Sequence, residues 1–302
     1  MKIKTLTIGD ITSKSLLYYD EKRIQECLGI CNYLKIDFLP LIGKTEYAER
    51  IGETYTIKKI EENISISEYK HLLTNEVREK LTKAKHNVVF VIEGQVIKGV
   101  LHISDLNKNI VLQALQHDLL TFERNLRQWF LLNEISNEQI ISFFKERSNR
   151  KEGFQYWKRQ FEEFESMRHK GELDRFGELQ HFNLSHLLDF GNSSISNNLF
   201  STKETVESNE TGIEVRKLIL ELRNNAMHAK DNIDTKSDLQ IHSVSSLDKL
   251  FKYLDTFISK FEYLESLIHS HSRHVKAIEL DNASKLTIIG EHYPNAIEYF
   301  IK

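Results

Sequence analysis

The stretch "HNVVFVIEGQVIKGVLHISDLNK", His86 to Lys108, is where the chain changes from one kind of patterning to another. Val88 to Ile92 and Val96 to Leu101 are runs rich in β-branched residues. Glu93-Gly94 between them offers the positive φ that a two-residue hairpin turn prefers, so the segment predicts strand, turn, strand. Ser104-Asp105 then supplies an N-cap for a following helix. Upstream, "DEKRIQECLGICNYLKIDFLPLIG" places Ile24, Cys27, Leu28 and Cys31 at helical spacing, then a short apolar strand, Phe38 to Ile42, closed by Gly43. The two cysteines stand one helical turn apart with no second pair to complete a zinc or disulfide framework, so they read as buried helix residues.

Downstream of about Ile110 the patterning becomes helical. Leu112, Leu115, Leu119, Phe122, Leu126, Trp129 and Phe130 form a sustained stripe, and Ser136-Asn137-Glu138-Gln139 is a capping box that opens a second helix through Arg147. "FQYWKRQFEEFESMRHK" and "LQHFNLSHLLDF" give a third and a fourth. Gly191 to Thr211 is Ser/Asn/Thr-rich without periodicity and reads as a mobile loop. Thr211-Gly212-Ile213-Glu214 caps the next helix, and a last long one carries Leu247, Leu250, Phe251, Leu254, Phe257 and Phe261 on one side. The expected fold class is α+β: an N-terminal α/β domain over residues 1–109 and an all-α bundle over residues 110–302.

Lys+Arg 41 against Asp+Glu 44 gives a net charge of -3, which excludes a wholly basic nucleic-acid-coating protein; any site for a polyanion must be local. The longest apolar run, "VVFVI" at Val88 to Ile92, is far shorter than the roughly 20 residues a membrane helix needs, and Met1-Lys2-Ile3-Lys4 leads into no signal-peptide core. A soluble, cytoplasmic protein with no membrane partner is expected.

The helix beginning at Thr211 contains "LRNNAMHAK", Leu222 to Lys230. Projected at about 100° per residue, Val215, Leu218, Ile219 and Ala226 fall within about 60° of Leu222 and define its core face. Asn224 then lies at about 200° and His228 at about 240°, while Arg223 sits on the flank at about 100°. Asn224 and His228 are four apart on one face, so the amide can hydrogen-bond the imidazole and fix its tautomer. Arg223 diverges from His228 by about 140°, so the two converge on one phosphate only if a second copy of the helix completes the site.

Two resemblances follow from these residues. The N-terminal part resembles a pair of CBS repeats, a module that binds adenine nucleotides. In that family a Gly, a Ser or Thr three residues on and an Asp six residues on line the ribose and phosphate pocket. In "GVLHISD" Gly99 and Asp105 match, and His102 stands where Ser or Thr is usual; the first repeat, "GETYTIK" around Gly52, has no Asp at the corresponding place. The resemblance implies an ATP- or AMP-like regulatory ligand at Gly99, His102 and Asp105, or alternatively a pair that only packs and dimerises.

The bundle is similar to HEPN domains in carrying Arg, a polar residue, three others and then His on its penultimate long helix. Many HEPN domains are metal-independent RNases that dimerise so that two such helices face each other. The resemblance places Arg223, Asn224 and His228 at the motif positions, as the catalytic set of a homodimeric endoribonuclease that leaves a 2′,3′-cyclic phosphate. The resemblance also implies that catalysis needs no cofactor, and it points to a toxin or antiviral defence setting in which an antitoxin or regulatory partner is an expectation. The chemistry suits the residue types. The RNA 2′-OH attacks its own phosphorus, a histidine with an ordinary pKa near 6.5 relays protons, and an arginine fork stabilises the charge that gathers on phosphorus. DNA would bind without being cut.

Two further clusters are read beside this. "RSNRKEGFQYWKRQ" offers Arg147, Arg150, Lys151, Lys158 and Arg159 with Tyr156 and Trp157 for single-stranded RNA, although Trp157 reads first as a core residue. "HSHSRH", His269 to His274, sits at a helix end; Arg273 is assigned to RNA backbone contact, and no metal ligand set is assigned. The competing class is a non-catalytic nucleotide sensor or protein-interaction adaptor.

Overall fold

The structure is a computed structural model of the 302-residue chain and describes residues 1–34, 36–149, 154–173, 177–192, 212–228 and 241–281. The greater part of the polar segment Gly191 to Thr211 lies outside the described residues. The architecture is mixed α+β, with two small sheets and long helices after them. The chain divides into two compact units, Met1–Leu120 with Lys217–Thr256, and Thr121–Arg216 with Phe257–Lys302.

In the first unit, β1 (Phe38–Pro40), β2 (Glu46–Ile51) and β3 (Thr54–Lys59) form an antiparallel meander. A second sheet contains β4 (Ser65–Ser67), β5 (Val88–Glu93) and β6 (Val96–His102). β4 is parallel to β5, as the intervening helix α3 (Asn75–Lys83) requires, and β5 is antiparallel to β6. The expected hairpin is present with its turn one residue later than predicted: Glu93 pairs with Val96, and the two-residue loop is Gly94-Gln95, with Gly94 at φ 60°. Gly52, at φ 64°, makes the corresponding turn between β2 and β3, so "GETYTIK" is a turn followed by an edge strand. The two sheets differ in topology: β1 lies antiparallel to its neighbour and β4 parallel.

Two connections fix the geometry around β1. Ser13 N donates to Val100 O at 3.1 Å and Val100 N to Ser13 O at 3.2 Å, while Tyr19 N donates to Pro40 O at 3.0 Å. Residues 13–19 therefore run as a strap from the edge of β6 to the edge of β1. Tyr47, Phe90 and Ile97 form a buried cluster with Phe38 packed against it, the rings of Tyr47 and Phe90 being 5.0 Å apart. Cys27 and Cys31 are buried in α2 (Ile24–Leu34) as free thiols, and the Tyr55 hydroxyl donates to Cys31 Sγ at 3.2 Å. A four-residue helix, α1 (Ile8–Ile11), stands earlier in the chain.

The helix expected straight after Ser104-Asp105 starts later. Ile103–Asn107 is a 3-10 turn capped by His102, and α4 begins at Asn109. α4 (Asn109–Leu132) buries Leu115, Leu119, Phe122, Leu126 and Phe130 of the predicted stripe, with Leu112 and Trp129 half-buried. Its Asp118 is buried and accepts the backbone N–H groups of Lys2 (2.7 Å) and Ile3 (2.8 Å).

The second unit is built on aromatic side chains carried by α4, α5 (Asn137–Ser148), α6 (Phe154–His169), α7 (Leu184–Gly191) and the long final helix Val244–Asp281. The Ser136 capping box is formed as predicted. Phe122 packs on Phe257 and Phe261, and Phe143 meets Phe190 edge to face. Phe144 lies among Trp157, Phe164 and His186. Leu247, Leu250, Phe251, Leu254, Phe257 and Phe261 are all buried, as their spacing predicts. Among the described residues no helix is long and apolar enough to cross a membrane.

Candidate functional site

The helix α8, Gly212–His228, carries the Arg-Asn-x3-His segment. Val215, Leu218, Ile219, Leu222 and Ala226 are buried, in agreement with the helical projection. Asn224 is exposed and Arg223 half-exposed, away from that stripe. Arg223 Nη1 donates to Asn224 Oδ1 at 3.3 Å, so the guanidinium and the amide lie side by side on the surface. His228 is the last residue of the helix, and its side chain lies outside the described residues. The face is held by its neighbours: Glu221 pairs with Lys249 at 3.3 Å, and Gln116 donates to the Met227 sulfur at 3.2 Å.

One turn and three residues earlier on the same helix, Arg216 forms an ion pair with buried Asp189 through Nε and donates a second bond through Nη2 at 3.0 Å. Tyr156 donates to the same carboxylate at 2.9 Å. Burial pushes the Asp189 carboxyl up from its ordinary pKa against the pull of Arg216 and Tyr156. Burial also pushes the Tyr156 hydroxyl up to about 12, with the Asp189 charge adding to it. Sequence reading missed this triad, since nothing in the spacing of Tyr156, Asp189 and Arg216 brings them together.

The three residues assigned to a nucleotide site occupy different surroundings. A Cβ added at Gly99 would lie 2.1 Å from Thr12 Cγ2 and 2.7 Å from Ser13 O, so the space beside this glycine is filled by the strap. Asp105 is buried; its carboxylate accepts the His102 N–H at 2.7 Å and the Ser13 hydroxyl at 3.3 Å, and pairs with Lys108 at 2.9 Å. The aspartate that the sequence offered to a ligand thus closes the turn after β6 and anchors the strap. Gly99→Ala is expected to destabilise the first unit by about 1–3 kcal/mol through this overlap. Amide hydrogen exchange at Val100, whose N–H bonds Ser13, should speed up markedly; unchanged protection there would refute the packing role.

Of the three, His102 lines a cavity. The cavity has a volume of about 440 Å³ and is walled mainly by apolar side chains of β1, the strap, Val88 and Val100, with His86 and Asp37 also lining it. His86 Nε2 lies 2.7 Å from Asp37 Oδ2. The His86 hydrogen bond and the Lys85 ammonium hold the Asp37 carboxyl below its ordinary range. His86 and Asn87 stand consecutively at positive φ, 58° and 55°, a conformation for which His and Asn are among the more tolerant side chains. No sequence signal marked this pocket, because its parts come from four separate segments.

In the basic and aromatic cluster, Arg147 stacks over Phe143 (5.3 Å) and Trp157 (6.0 Å), and Trp157 meets Phe143 edge to face. Both aromatic members are engaged in the second unit, Trp157 in packing and Tyr156 on Asp189. Lys158 and Arg159 are exposed, with Lys158 3.7 Å from Glu162. Arg150 and Lys151, and the side chain of Arg273, lie outside the described residues. Among the described residues there is no group of three or more His, Cys, Asp or Glu placed to hold a metal ion. No family model, curated protein or solved structure matches the chain.

Proposed function

We propose that the chain is a metal-independent endoribonuclease of the HEPN type, acting as a homodimer through Arg223, Asn224 and His228, in the toxin or defence setting that this resemblance implies. The observation that carries the reading is the surface of α8. Its apolar stripe is buried, while Arg223 and Asn224 lie hydrogen-bonded together on the solvent side, one turn before His228. A polar helix face with an arginine fork already oriented by a neighbouring amide suits a phosphodiester in its pentacoordinate state.

In this mechanism the 2′-OH loses its proton as it attacks phosphorus, and the 5′-oxygen gains one as it leaves. The products are a 2′,3′-cyclic phosphate and a 5′-OH, and His228 relays the protons. Because Arg223 and His228 diverge by about 140° around one helix, the catalytic pair is completed across two copies.

Incubating the purified chain with RNA should give cyclic-phosphate ends, with His228→Ala reduced at least about 100-fold and an oligonucleotide 2′-deoxy at every position left intact. Equal cleavage by the wild type and His228→Ala would sink the assignment. If the pair is shared between copies, mixing Arg223→Ala with His228→Ala chains restores activity, because one of the two sites in each mixed dimer keeps both side chains. The second reading, a non-catalytic nucleotide-sensing adaptor, loses support at Gly99 and Asp105, both engaged by the strap.

A further inference from the structure

The register of the first sheet leaves one side of β3 unpaired. Ile51 lies opposite Thr54, Glu49 opposite Thr56 and Tyr47 opposite Lys58, beyond the two-residue turn Gly52-Glu53. In a hairpin closed by two residues, the pair next to the turn exchanges both backbone bonds, and such pairs then recur at every second position. The backbones of Thr54, Thr56 and Lys58 therefore face β2. Those of Tyr55, Ile57 and Lys59 face outward, because β3 is the last strand of its sheet. The β1 side confirms the alternation, since Arg50 N donates to Asp37 O at 2.6 Å and Leu41 N to Glu46 O at 2.9 Å, so the even-numbered residues of β2 serve β1. Among the described residues no further backbone bond reaches Tyr55, Ile57 or Lys59. Ile57 is 46 % exposed, and Thr54, Thr56 and Lys59 are exposed, so neither side chains nor backbone cover this edge. An open edge of this kind is a template for another strand.

We infer that β3 pairs antiparallel with β3 of a second copy of this chain, about a two-fold axis through Thr56, and so joins the two three-stranded sheets edge to edge. A two-fold pairing can centre on Tyr55, Thr56 or Ile57, and the side chains choose among them. Centred on Ile57, it sets Glu53 opposite Glu61 of the second copy and Tyr55 opposite Lys59. Centred on Tyr55, it leaves Glu53 opposite Ile57 and Lys59 opposite Ile51. Centred on Thr56, it sets Thr56 opposite Thr56, each Tyr55 opposite Ile57 and each Glu53 opposite Lys59. Thr with Thr, aromatic with β-branched and opposite charges are the cross-strand pairs that stabilise an antiparallel ladder. Lys58 is held by Glu49 of its own chain, whereas Glu53 and Lys59 have no ion pair among the described residues. The edge is thus complementary to itself in hydrogen bonds, apolar contact and charge. One short strand is a small contact, so the association is weak and depends on concentration. It uses no residue of α8 and does not rest on the ribonuclease reading.

Disulfide trapping of the full chain reads the register. Thr56 faces its copy in a non-hydrogen-bonded pair, where Cα atoms are about 4.5 Å apart and within disulfide reach, so Thr56→Cys should cross-link under mild oxidation. Thr54→Cys is the control, exposed on the same face of the strand. It lies opposite Lys58, which leaves the two Thr54 positions about 14 Å apart, and it should cross-link at least about 10-fold more slowly. The native cysteines are buried and add little background. Within the Thr56→Cys chain, Lys59→Glu or Glu53→Lys should slow trapping at least about 5-fold by setting like charges opposite each other, and the two exchanges together should restore it. In the wild-type chain, the Tyr55, Ile57 and Lys59 amides should gain protection from hydrogen exchange as concentration rises. Trapping of Thr56→Cys no faster than of Thr54→Cys, a double exchange no better than the single ones, or outward amides indifferent to concentration would each overturn the pairing. A dimer formed through α8 alone would fail all three measurements and still cleave RNA.

Discussion

Asp189→Ala is expected to destabilise the second unit by about 3–5 kcal/mol, because it strands two groups at once. Asp189 is buried, and its carboxylate holds both Arg216 and the Tyr156 hydroxyl. Removing it leaves a half-buried guanidinium without its counter-charge and a phenol without its acceptor, beside the aromatic cluster of Phe143, Trp157 and Phe190. Asp189→Asn should cost less, since an amide oxygen still accepts from Tyr156. The pair Asp189→Leu with Arg216→Met should recover much of the loss, because exchanging a buried ion pair for apolar side chains removes both desolvation penalties together. Urea unfolding followed by tryptophan fluorescence reads this selectively: both tryptophans, Trp129 and Trp157, belong to the second unit. A single-variant loss below about 1 kcal/mol would show that the triad is only a surface pairing. Arg216 shares α8 with Arg223, so RNA cleavage by a folded Asp189→Asn chain also tests whether this end of the helix must be anchored for catalysis.

The second large effect is acid destabilisation through His186. Its ring is buried, with Nε2 bonded to Gln160 Oε1 and Nδ1 accepting the Asn183 N–H at 3.3 Å. Phe144, Phe164 and Phe182 close around it. Burial is the main reason that its pKa falls to about 4, with the Arg216 charge adding to the shift. Protonation would also put a second N–H against the Asn183 amide, donor against donor. The folded chain thus holds His186 neutral down to pH about 4, whereas the unfolded chain takes up the proton near 6.5. The unfolded state binds more protons in that interval, so stability is full above the unfolded pKa and falls as the pH drops toward the folded one. A shift of this size amounts to about 3 kcal/mol by pH 4. Asp189, whose carboxyl is raised, acts with the opposite sign and favours the folded state as pH falls through the carboxylate range, so it offsets part of the loss at the acid end. His186→Gln keeps a side-chain acceptor at the third helical position, as in an ordinary capping box, and cannot titrate. It should be less stable at pH 7 from lost packing and show a flatter stability profile between pH 6.5 and 4. An unchanged slope would remove His186 as the titrating group.

The sequence carried the long-range pattern of the helices and the local chemistry of turns, and little of what depends on contact between distant segments. Leu247 to Phe261 declare their buried side through repeated spacing, and Gly94 declares its turn through a single glycine between two β-branched runs. β4 has only three residues and becomes a strand through pairing with β5, so it leaves no periodic trace. Asp105 was legible as an important carboxylate, but not as one whose partners, Ser13 and Lys108, would come from the strap and the next turn. The α8 surface was legible because a single straight helix obeys its own projection. The cavity was not, because its lining comes from four separate segments that only the fold brings together.

The buried thiols of α2 make the chain its own pair of local reporters. Cys27 and Cys31 are its two cysteines, and both lie in the first unit. Burial raises the Cys31 pKa, which suppresses the reactive thiolate in the closed state. A thiol reagent therefore labels the chain only through openings of α2, while indole emission records the other unit. Native-state opening of each half can be timed in one sample, without introducing a foreign label.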